Sequence, residues 1–228
     1  MKRITSTLTL WILLFVQQAA QAQFTIPFAT GASKAATSSL PVFADYPTCG
    51  FSTSCTDTVA AGDLVVMMGS AIIAGNVTSY AVSSTPTSAW NCLALLGSSS
   101  ELCWSIMTSS GSTTFSMVPT PTETYSTVQI MHYTGGTGHT VATSASATGT
   151  NTTAAFSTTT PTLTVVCAAG GSGTWSVGTV GGNTATNFHA GSIGYDACED
   201  YSTSSSMTGA TAVINGPSVA QIQAISFQ

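Results

Sequence analysis

Short apolar segments, separated by turn-forming residues, follow one another along most of the chain. Eight of them, each about five to ten residues long, cover 64–73, 90–96, 102–107, 127–133, 163–169, 175–180, 192–197 and 219–227. Gly, Ser, Pro or Asn residues stand between these segments. After residue 22, apolar residues do not keep the three- and four-residue spacing of a helix over three turns. The pattern predicts an all-β protein.

A repeat along the chain suggests how the strands are arranged. The apolar run that starts at Leu64 precedes Trp90, and the run that starts at Leu163 precedes Trp175 in the same way. A partner strand and a closing strand follow in each half. Two halves of about four strands predict a two-sheet antiparallel sandwich, jelly-roll-like, over residues 62–228, with both Trp side chains in its core.

These segments resemble a known group of β-sandwich domains. The matching residues are Gly62-Asp63-Leu64, Trp90, the strand 102–107 and Tyr133-Thr134-Gly135. In this arrangement the chain is similar to secreted and phage-tail-associated domains of the concanavalin-like or jelly-roll type, and it departs from them at Thr134, where an Arg is common, and in its added cysteines. The resemblance implies a surface, adhesion or carbohydrate-contacting role, by analogy of fold.

The first 22 residues have the layout of a secretory signal peptide. Lys2 and Arg3 precede an apolar run over 8–16, and Ala20-Gln21-Ala22 forms an A-x-A cleavage site. The apolar run is about half as long as a membrane-spanning helix requires. We therefore expect a secreted or cell-surface protein of 206 residues, without a transmembrane segment in the mature chain.

The amino-acid composition narrows the classes of molecule that the protein could bind. Only 5% of the residues are charged, against about 25% in an ordinary soluble domain. Removal of the signal peptide leaves Lys34 as the single basic side chain against eight acids, a net charge of −7. Such a chain lacks the cations that neutralise phosphates, which argues against nucleic-acid binding. Ser and Thr, at 31 and 37 residues, form about a third of the mature chain and favour strands and turns.

Six cysteines agree with an exported protein, because an even number after a signal peptide is typical of a disulfide set. They allow fifteen pairings. Order along the chain favours Cys49–Cys55 in a tight loop, Cys92–Cys103 across a hairpin and Cys167–Cys198 between two later strands. A metal site is disfavoured, because the chain has no C-x-x-C pair and its three His are scattered. We expect no cofactor.

Residues 23–61 precede the predicted sandwich and are rich in Ala, Thr, Ser and Pro, so we interpret them as a partly ordered N-terminal arm that carries the Cys49–Cys55 loop. Phe24, Ile26 and Phe28 alternate with other residues, as in a strand with one buried face. This strand either packs on its own domain or adds to the sheet edge of a neighbouring molecule.

Catalytic motifs are absent from the sequence: there is no G-x-S-x-G, H-E-x-x-H or phosphate loop. We interpret Glu101 and Glu123 as solvated acids in turns. Asp196, Glu199 and Asp200 are interpreted in the same way, at a strand end; they offer oxygen ligands for Ca²⁺, although without an EF-hand-like loop. For the histidines, we expect a strand-end position at His132 and surface positions at His139 and His189, while a Ser-His-Asp triad stays open.

The sequence leaves three hypotheses for function. The first is a non-catalytic extracellular structural or adhesive protein that self-associates or contacts other surface proteins, through the strand containing Phe24, Ile26 and Phe28. The second is a carbohydrate-binding module or lectin, and the third is a secreted hydrolase. Stacking aromatics would mark the second, and the candidate glycan contacts are Trp104, Tyr125, Tyr195 and Tyr201. Asn76 and Asn151 begin sequons and are candidate glycosylation sites.

Overall fold

The computed structural model describes residues 39–47, 49–71, 76–97, 99–123, 125–191, 194–217 and 219–228. The predicted signal peptide and the strand with Phe24, Ile26 and Phe28 lie outside these ranges. None of the described residues forms a helix, and so none belongs to one long and apolar enough to cross a bilayer. Residues 38–228 form one compact unit.

Eight strands belong to the first half of this unit: β1 (Val42–Asp45), β2 (Ser54–Val59), β3 (Leu64–Ala71), β4 (Ser79–Thr85), β5 (Asn91–Cys92), β6 (Ser100–Ile106), β7 (Gly111–Thr120) and β8 (Ser126–Thr134). They form a five-stranded sheet of order β1-β8-β3-β6-β5 and a three-stranded sheet of order β2-β7-β4. All pairings are antiparallel. The two sheets enclose a core that includes Val65, Met67, Phe115, Met117 and Ile130.

Ten strands belong to the second half: β9 (Val141–Thr148), β10 (Phe156–Thr158), β11 (Thr162–Gly170), β12 (Ser176–Val180), β13 (Asn183–Thr184), β14 (Asn187–Ala190), β15 (Asp196–Thr203), β16 (Met207–Ala210), β17 (Ala212–Asn215) and β18 (Val219–Phe227). A five-stranded sheet of order β14-β15-β11-β18-β9 faces two smaller sheets, β13-β12-β17 and β10-β16. Val166, Ala168, Trp175 and Ile222 lie in the core between them.

The two five-stranded sheets pack against each other with their remaining faces. Leu64, Val66 and Met68 of β3 share this third core with Leu163 and Val165 of β11. The molecule therefore has four layers, and the central strands β3 and β11 are buried on both faces. Side chains alternate between the faces of a strand, so a strand buried on both faces needs apolar residues at successive positions. This is why 64–68 and 163–169 are nearly continuous apolar runs.

The two halves have the same topology. Replacing each strand of the order β1-β8-β3-β6-β5 by its counterpart gives β9-β18-β11-β15-β14, which is the order of the other central sheet. Ser70 of β3 pairs with Ser100 and Thr127, and Ala169 of β11 pairs with Asp196 and Gln221. Ser100 thus corresponds to Asp196 and Thr127 to Gln221. The internal repeat therefore extends to the strand order of both central sheets.

The all-β class, the antiparallel sheets and the three disulfides Cys49–Cys55, Cys92–Cys103 and Cys167–Cys198 are confirmed. The number of layers differs from the expectation of one two-sheet sandwich, because each half builds a sandwich of its own. Residues 23–61 also contribute more than an arm: β1 pairs with β8, and β2 pairs with β7 along six residues. From Val42 onward, this segment is part of the first sandwich.

The residue equivalent to Trp175 in the first half is Tyr80 and not Trp90, which the sequence suggested. Trp175 precedes β12, and its Nε1 donates a hydrogen bond to the Gly194 carbonyl at 2.7 Å. The corresponding donor in the first half is Tyr80 on β4, whose hydroxyl donates to the Ser99 carbonyl at 2.6 Å. Trp90 instead follows β4 and packs edge-on against Phe115. Both Trp side chains contact core, but Tyr80 is the counterpart of Trp175.

Candidate functional site

The disulfides join neighbouring strands at two of their three positions. Cys92 faces Cys103 across β5 and β6, and Cys167 faces Cys198 across β11 and β15. Glu101 lies near the Cys92 and Cys103 sulfurs, a grouping of potential metal ligands. Because the two sulfurs are bonded to each other, they are not available as thiolates, and Glu101 is the only anionic ligand in this group.

The carboxylates of β15 are buried, which contradicts the expectation of solvated acids at a strand end. Asp196 and Glu199 have no exposed surface, and Asp200 is 2% exposed. The β15 strand runs through the central sheet between β11 and β14, so these residues lie inside the molecule. Alternation along the strand sends Asp196 and Asp200 toward the first half and Glu199 toward the second sandwich. The three carboxylates therefore cannot converge on one Ca²⁺ ion.

Asp196 lies at the contact between the two halves. It accepts hydrogen bonds from the Thr127 hydroxyl and from Gln129 Nε2, the latter at 2.9 Å. Burial raises the pKa of Asp196, and the two donors oppose that rise. The corresponding contact is the hydrogen bond from the Ser100 hydroxyl to Gln221 Oε1. Thr127 is equivalent to Gln221, and Asp196 is equivalent to Ser100. The same two positions therefore form a hydrogen bond twice between the two central sheets, as in an isologous interface.

Asp200 forms a further polar contact between the halves. Tyr133 OH donates to Asp200 Oδ2 at 3.0 Å, and Asn187 Nδ2 lies 3.0 and 3.1 Å from its two oxygens. Burial raises the pKa of Asp200, against the lowering effect of these donors. Burial and the neighbouring Asp200 charge raise the pKa of Tyr133 well above its usual value. The Tyr133 hydroxyl and the Asp200 carboxylate are therefore both hydrogen-bonded in the interior of the molecule.

Glu199 is the buried acid with the fewest partners. Its Oε2 accepts a hydrogen bond from the Gly178 N–H at 2.7 Å, and its Oε1 has no hydrogen-bond partner among the described residues. Burial raises its pKa to about 7. Gly178 lies in the irregular part of β12, where a Cβ would overlap the Val213 carbonyl. Only a glycine permits this close approach of β12 to β17.

His132 lies between two carboxylates rather than at an exposed strand end. Its Nδ1 is 2.9 Å from Asp57 Oδ2, and its Nε2 is 2.8 Å from Asp63 Oδ2. The residue is only 5% exposed. Both ring nitrogens face carboxylates, so neither is directed toward a substrate. The group links β8 to β2 and to the start of β3.

The other histidines also differ from the expected surface positions. His139 is buried, and its Nε2 lies 3.1 Å from the Ser39 carbonyl. His189 is half-buried and stacks on Tyr46 with ring centroids 4.2 Å apart. Burial lowers the pKa of His189. The turn residues beside these histidines suggested exposure, but the strands around them are covered by the chain between 39 and 46.

The remaining predicted site residues are dispersed. Glu101 on β6 and Glu123 before β8 are half-buried, while Asn76 and Asn151 are exposed. Trp104 packs between the halves, edge-on to Phe227. Tyr125 is 47% exposed and contacts Phe51, whereas Tyr195 is half-buried. These aromatics do not form one face.

Tyr201, one of the four predicted glycan contacts, lines a large groove with a volume of about 480 Å³. The groove lies beside β13 and the segment 205–211, at the end of β15. The sequence placed Tyr201 among several candidates, and nothing in its local pattern marks the groove. Comparison of the chain with protein-family models, with curated proteins and with solved structures finds no match.

Proposed function

We propose that the chain is a non-catalytic extracellular structural or adhesive component that associates with copies of itself or with other surface molecules. The observation that carries the proposal is the distribution of charge. Of its eight acidic residues, only Asp45 is exposed, and the others are half-buried or buried. The four most buried acids bind Thr, Gln, Tyr, Asn, His or backbone groups. The exterior is thus dominated by hydroxyls.

Such an exterior favours association. Surface charges of one sign keep soluble proteins apart, and lysines on edge strands block pairing between sheets. The outer strand β4 has the sequence Ser-Tyr-Ala-Val-Ser-Ser-Thr, which has no charged residue. Within the described residues, β4 pairs only with β7. A β-strand from a second molecule can therefore add to β4 through backbone hydrogen bonds without burying a charge.

The three disulfides and the layered sheets stabilise the fold, which suits a long-lived extracellular protein. Each of the three bridges adds about 2–4 kcal/mol to the free energy of unfolding. The sequence segment with Phe24, Ile26 and Phe28 supplies the strand that we propose for addition to a neighbour. Its alternating pattern matches a strand with one buried face.

The experiment measures association of the mature chain, starting at Gln23. Light scattering and negative-stain electron microscopy over a hundredfold range of concentration should show mass that grows with concentration. Ile26→Asp should abolish this growth, because it places a charge on the apolar face of the added strand. Asn151→Asp is the matched control, because it adds the same charge at an exposed turn and should leave association intact.

A monodisperse monomer at all concentrations would contradict the proposal. Equal association of the wild type and Ile26→Asp would instead show that assembly uses another surface, and so would exclude the strand-addition mechanism.

A further inference from the structure

The groove that Tyr201 lines exists because the two halves differ in their outer strands. In the first half, β7 runs unbroken over Gly111–Thr120 and pairs with β2 and with β4. In the second half, the outer strand is divided into β16 and β17 on either side of Thr211. Shortly before the break, Gly209 within β16 has a φ of +60°, a conformation that favours glycine. The second sandwich is therefore open at this end.

The core side chains near the break are also smaller. The β7 strand buries Phe115 and Met117, whereas β16 and β17 bury Ala210 and Ala212 beside Ile214. The space remains as a groove of about 480 Å³ between the end of β15 and the segment 205–211. This volume lies within the range of small-molecule sites.

The lining has the chemistry of a neutral, hydroxyl-bearing ligand. Its side chains comprise one aromatic ring, one amide, one thioether and several hydroxyls: Tyr201, Asn183, Met207, Thr203, Ser206 and Thr208. None of the described lining residues is charged, so an ionic ligand would lose its hydration without gaining an ion pair. A purely apolar ligand would leave the hydroxyls and the amide unpaired. A sugar satisfies both conditions, because its C–H face packs on a ring while its hydroxyls form hydrogen bonds.

The groove is held in shape before any ligand binds. Its outer wall is fixed to β10 by hydrogen bonds from the Met207 N–H to Thr158 Oγ1 at 3.1 Å and from the Gly209 N–H to Ser157 Oγ at 3.0 Å. On the opposite side, Asn183 Nδ2 lies 3.3 Å from the Gly181 carbonyl. This contact orients the amide and leaves its Oδ1 as an acceptor. Preformed walls reduce the entropy that binding must offset.

From this geometry we infer that the groove binds a neutral saccharide of one or two residues, with its C–H face on Tyr201 and its hydroxyls on Asn183 and the Ser and Thr side chains. The inference deepens the adhesive form of the proposed function, since it names the chemical class of the ligand. It does not depend on self-association.

The test is binding of the mature chain to an array of neutral mono- and oligosaccharides, followed by calorimetric titration of the sugars retained. Tyr201→Ala should weaken binding at least tenfold, and Tyr201→Phe, which keeps the ring, should retain most of it. Thr208→Trp fills the groove from an exposed position and should also abolish binding. Tyr125→Ala is the matched control, because Tyr125 is an exposed tyrosine outside the groove.

The inference would be overturned if no neutral sugar bound the wild type, or if binding survived Tyr201→Ala and Thr208→Trp. Loss of binding in Tyr125→Ala alone would place the sugar at the exposed Phe51–Tyr125 pair and would equally exclude the groove. Near-ultraviolet circular dichroism of each variant separates loss of the site from loss of the fold. Sugar binding by a strictly monomeric chain would sustain this inference and contradict self-association.

Discussion

Replacement of Glu199 by Gln should stabilise the protein at alkaline pH and not at acidic pH. Glu199 is fully buried, and its carboxyl has a pKa of about 7 against an ordinary value of 4.5. One pKa unit corresponds to 1.36 kcal/mol, so ionising this group costs about 3 kcal/mol more in the folded protein than in the unfolded chain. Gln keeps the shape of the protonated acid and still accepts the hydrogen bond from Gly178.

The raised pKa of Glu199 determines the direction in which stability changes with pH. Between pH 4.5 and about 7 the folded protein binds the Glu199 proton more strongly than the unfolded chain does, so the wild type loses stability as pH rises through this window. The loss is complete above pH 7. Since Glu199→Gln lacks the titrating group, its stability relative to the wild type should increase by about 3 kcal/mol between pH 4.5 and pH 8.

Equilibrium unfolding in guanidinium chloride, with the disulfides intact, measures this difference at each pH. Asp196 is present in both proteins, so its own contribution to the pH dependence cancels, and the effect of the Asp200 charge on Glu199 is already contained in the pKa of about 7. Glu123→Gln is a control for the loss of one negative charge, because Glu123 is a half-buried acid in a turn. If the difference in free energy of unfolding between Glu199→Gln and the wild type stays the same at pH 4.5 and pH 8, the pKa of Glu199 is not raised in the folded protein.

Three further substitutions test other contacts. His132→Ala leaves two carboxylates without the imidazole between them and should lower the free energy of unfolding by about 3 kcal/mol; a loss below 1 kcal/mol in denaturant titration would show that the group adds little. Gly178→Ala forces a Cβ onto a backbone carbonyl of β17 and should lower the Tm by several degrees in scanning calorimetry, so an unchanged Tm would contradict the close approach. Tyr80→Phe removes the hydroxyl bonded to the Ser99 carbonyl and should cost about 1 kcal/mol in chemical unfolding, with a more stable variant as the contrary outcome.

Local patterns were sufficient to predict the fold class and the disulfides. Apolar segments between turn residues predict strands from local sequence alone, wherever in the sheets those strands later pair. The Cys92–Cys103 and Cys167–Cys198 bridges join residues that are 11 and 31 positions apart. Cysteines opposite each other on adjacent antiparallel strands come within bonding distance, so order along the chain predicted the correct pairs.

The sequence pattern was interpreted as one two-sheet sandwich, although it contains a signal for the four-layer architecture. A strand in a two-sheet sandwich alternates apolar and polar residues, because only one of its faces is buried. All eight residues of β3 are buried, and the first eight of β11 are buried as well. A continuous apolar run of this length at Leu64 and again at Leu163 requires a cover on both faces. Two sheets cannot supply that cover to both strands.

The buried acids could not be found from sequence, because their partners are distant in the chain. Asp196 and Asp200 lie 69 and 67 residues from Thr127 and Tyr133, which donate hydrogen bonds to them. These contacts form only when the two halves pack together. Nearby Gly and Ser residues, by contrast, gave a local pattern typical of an exposed strand end.

The internal repeat shows which features the sequences of the two halves share and which they do not. Leu64 and Val66 correspond to Leu163 and Val165, because both pairs face the same core and an apolar residue of similar size suits both sites. Ser100 corresponds to Asp196, although one is neutral and the other ionisable. Each forms a hydrogen bond with a polar side chain of the opposite central sheet, Ser100 with Gln221 and Asp196 with Thr127. Tyr80 and Trp175 correspond because each has a ring with a hydrogen-bond donor at its edge, and either donor reaches the carbonyl of the facing loop. Alignment of the halves by residue identity pairs Trp90 with Trp175, whereas alignment by hydrogen-bond role pairs Tyr80 with Trp175. Only the second agrees with the order of the strands, because Tyr80 and Trp175 lie at the starts of β4 and β12, whereas Trp90 follows β4.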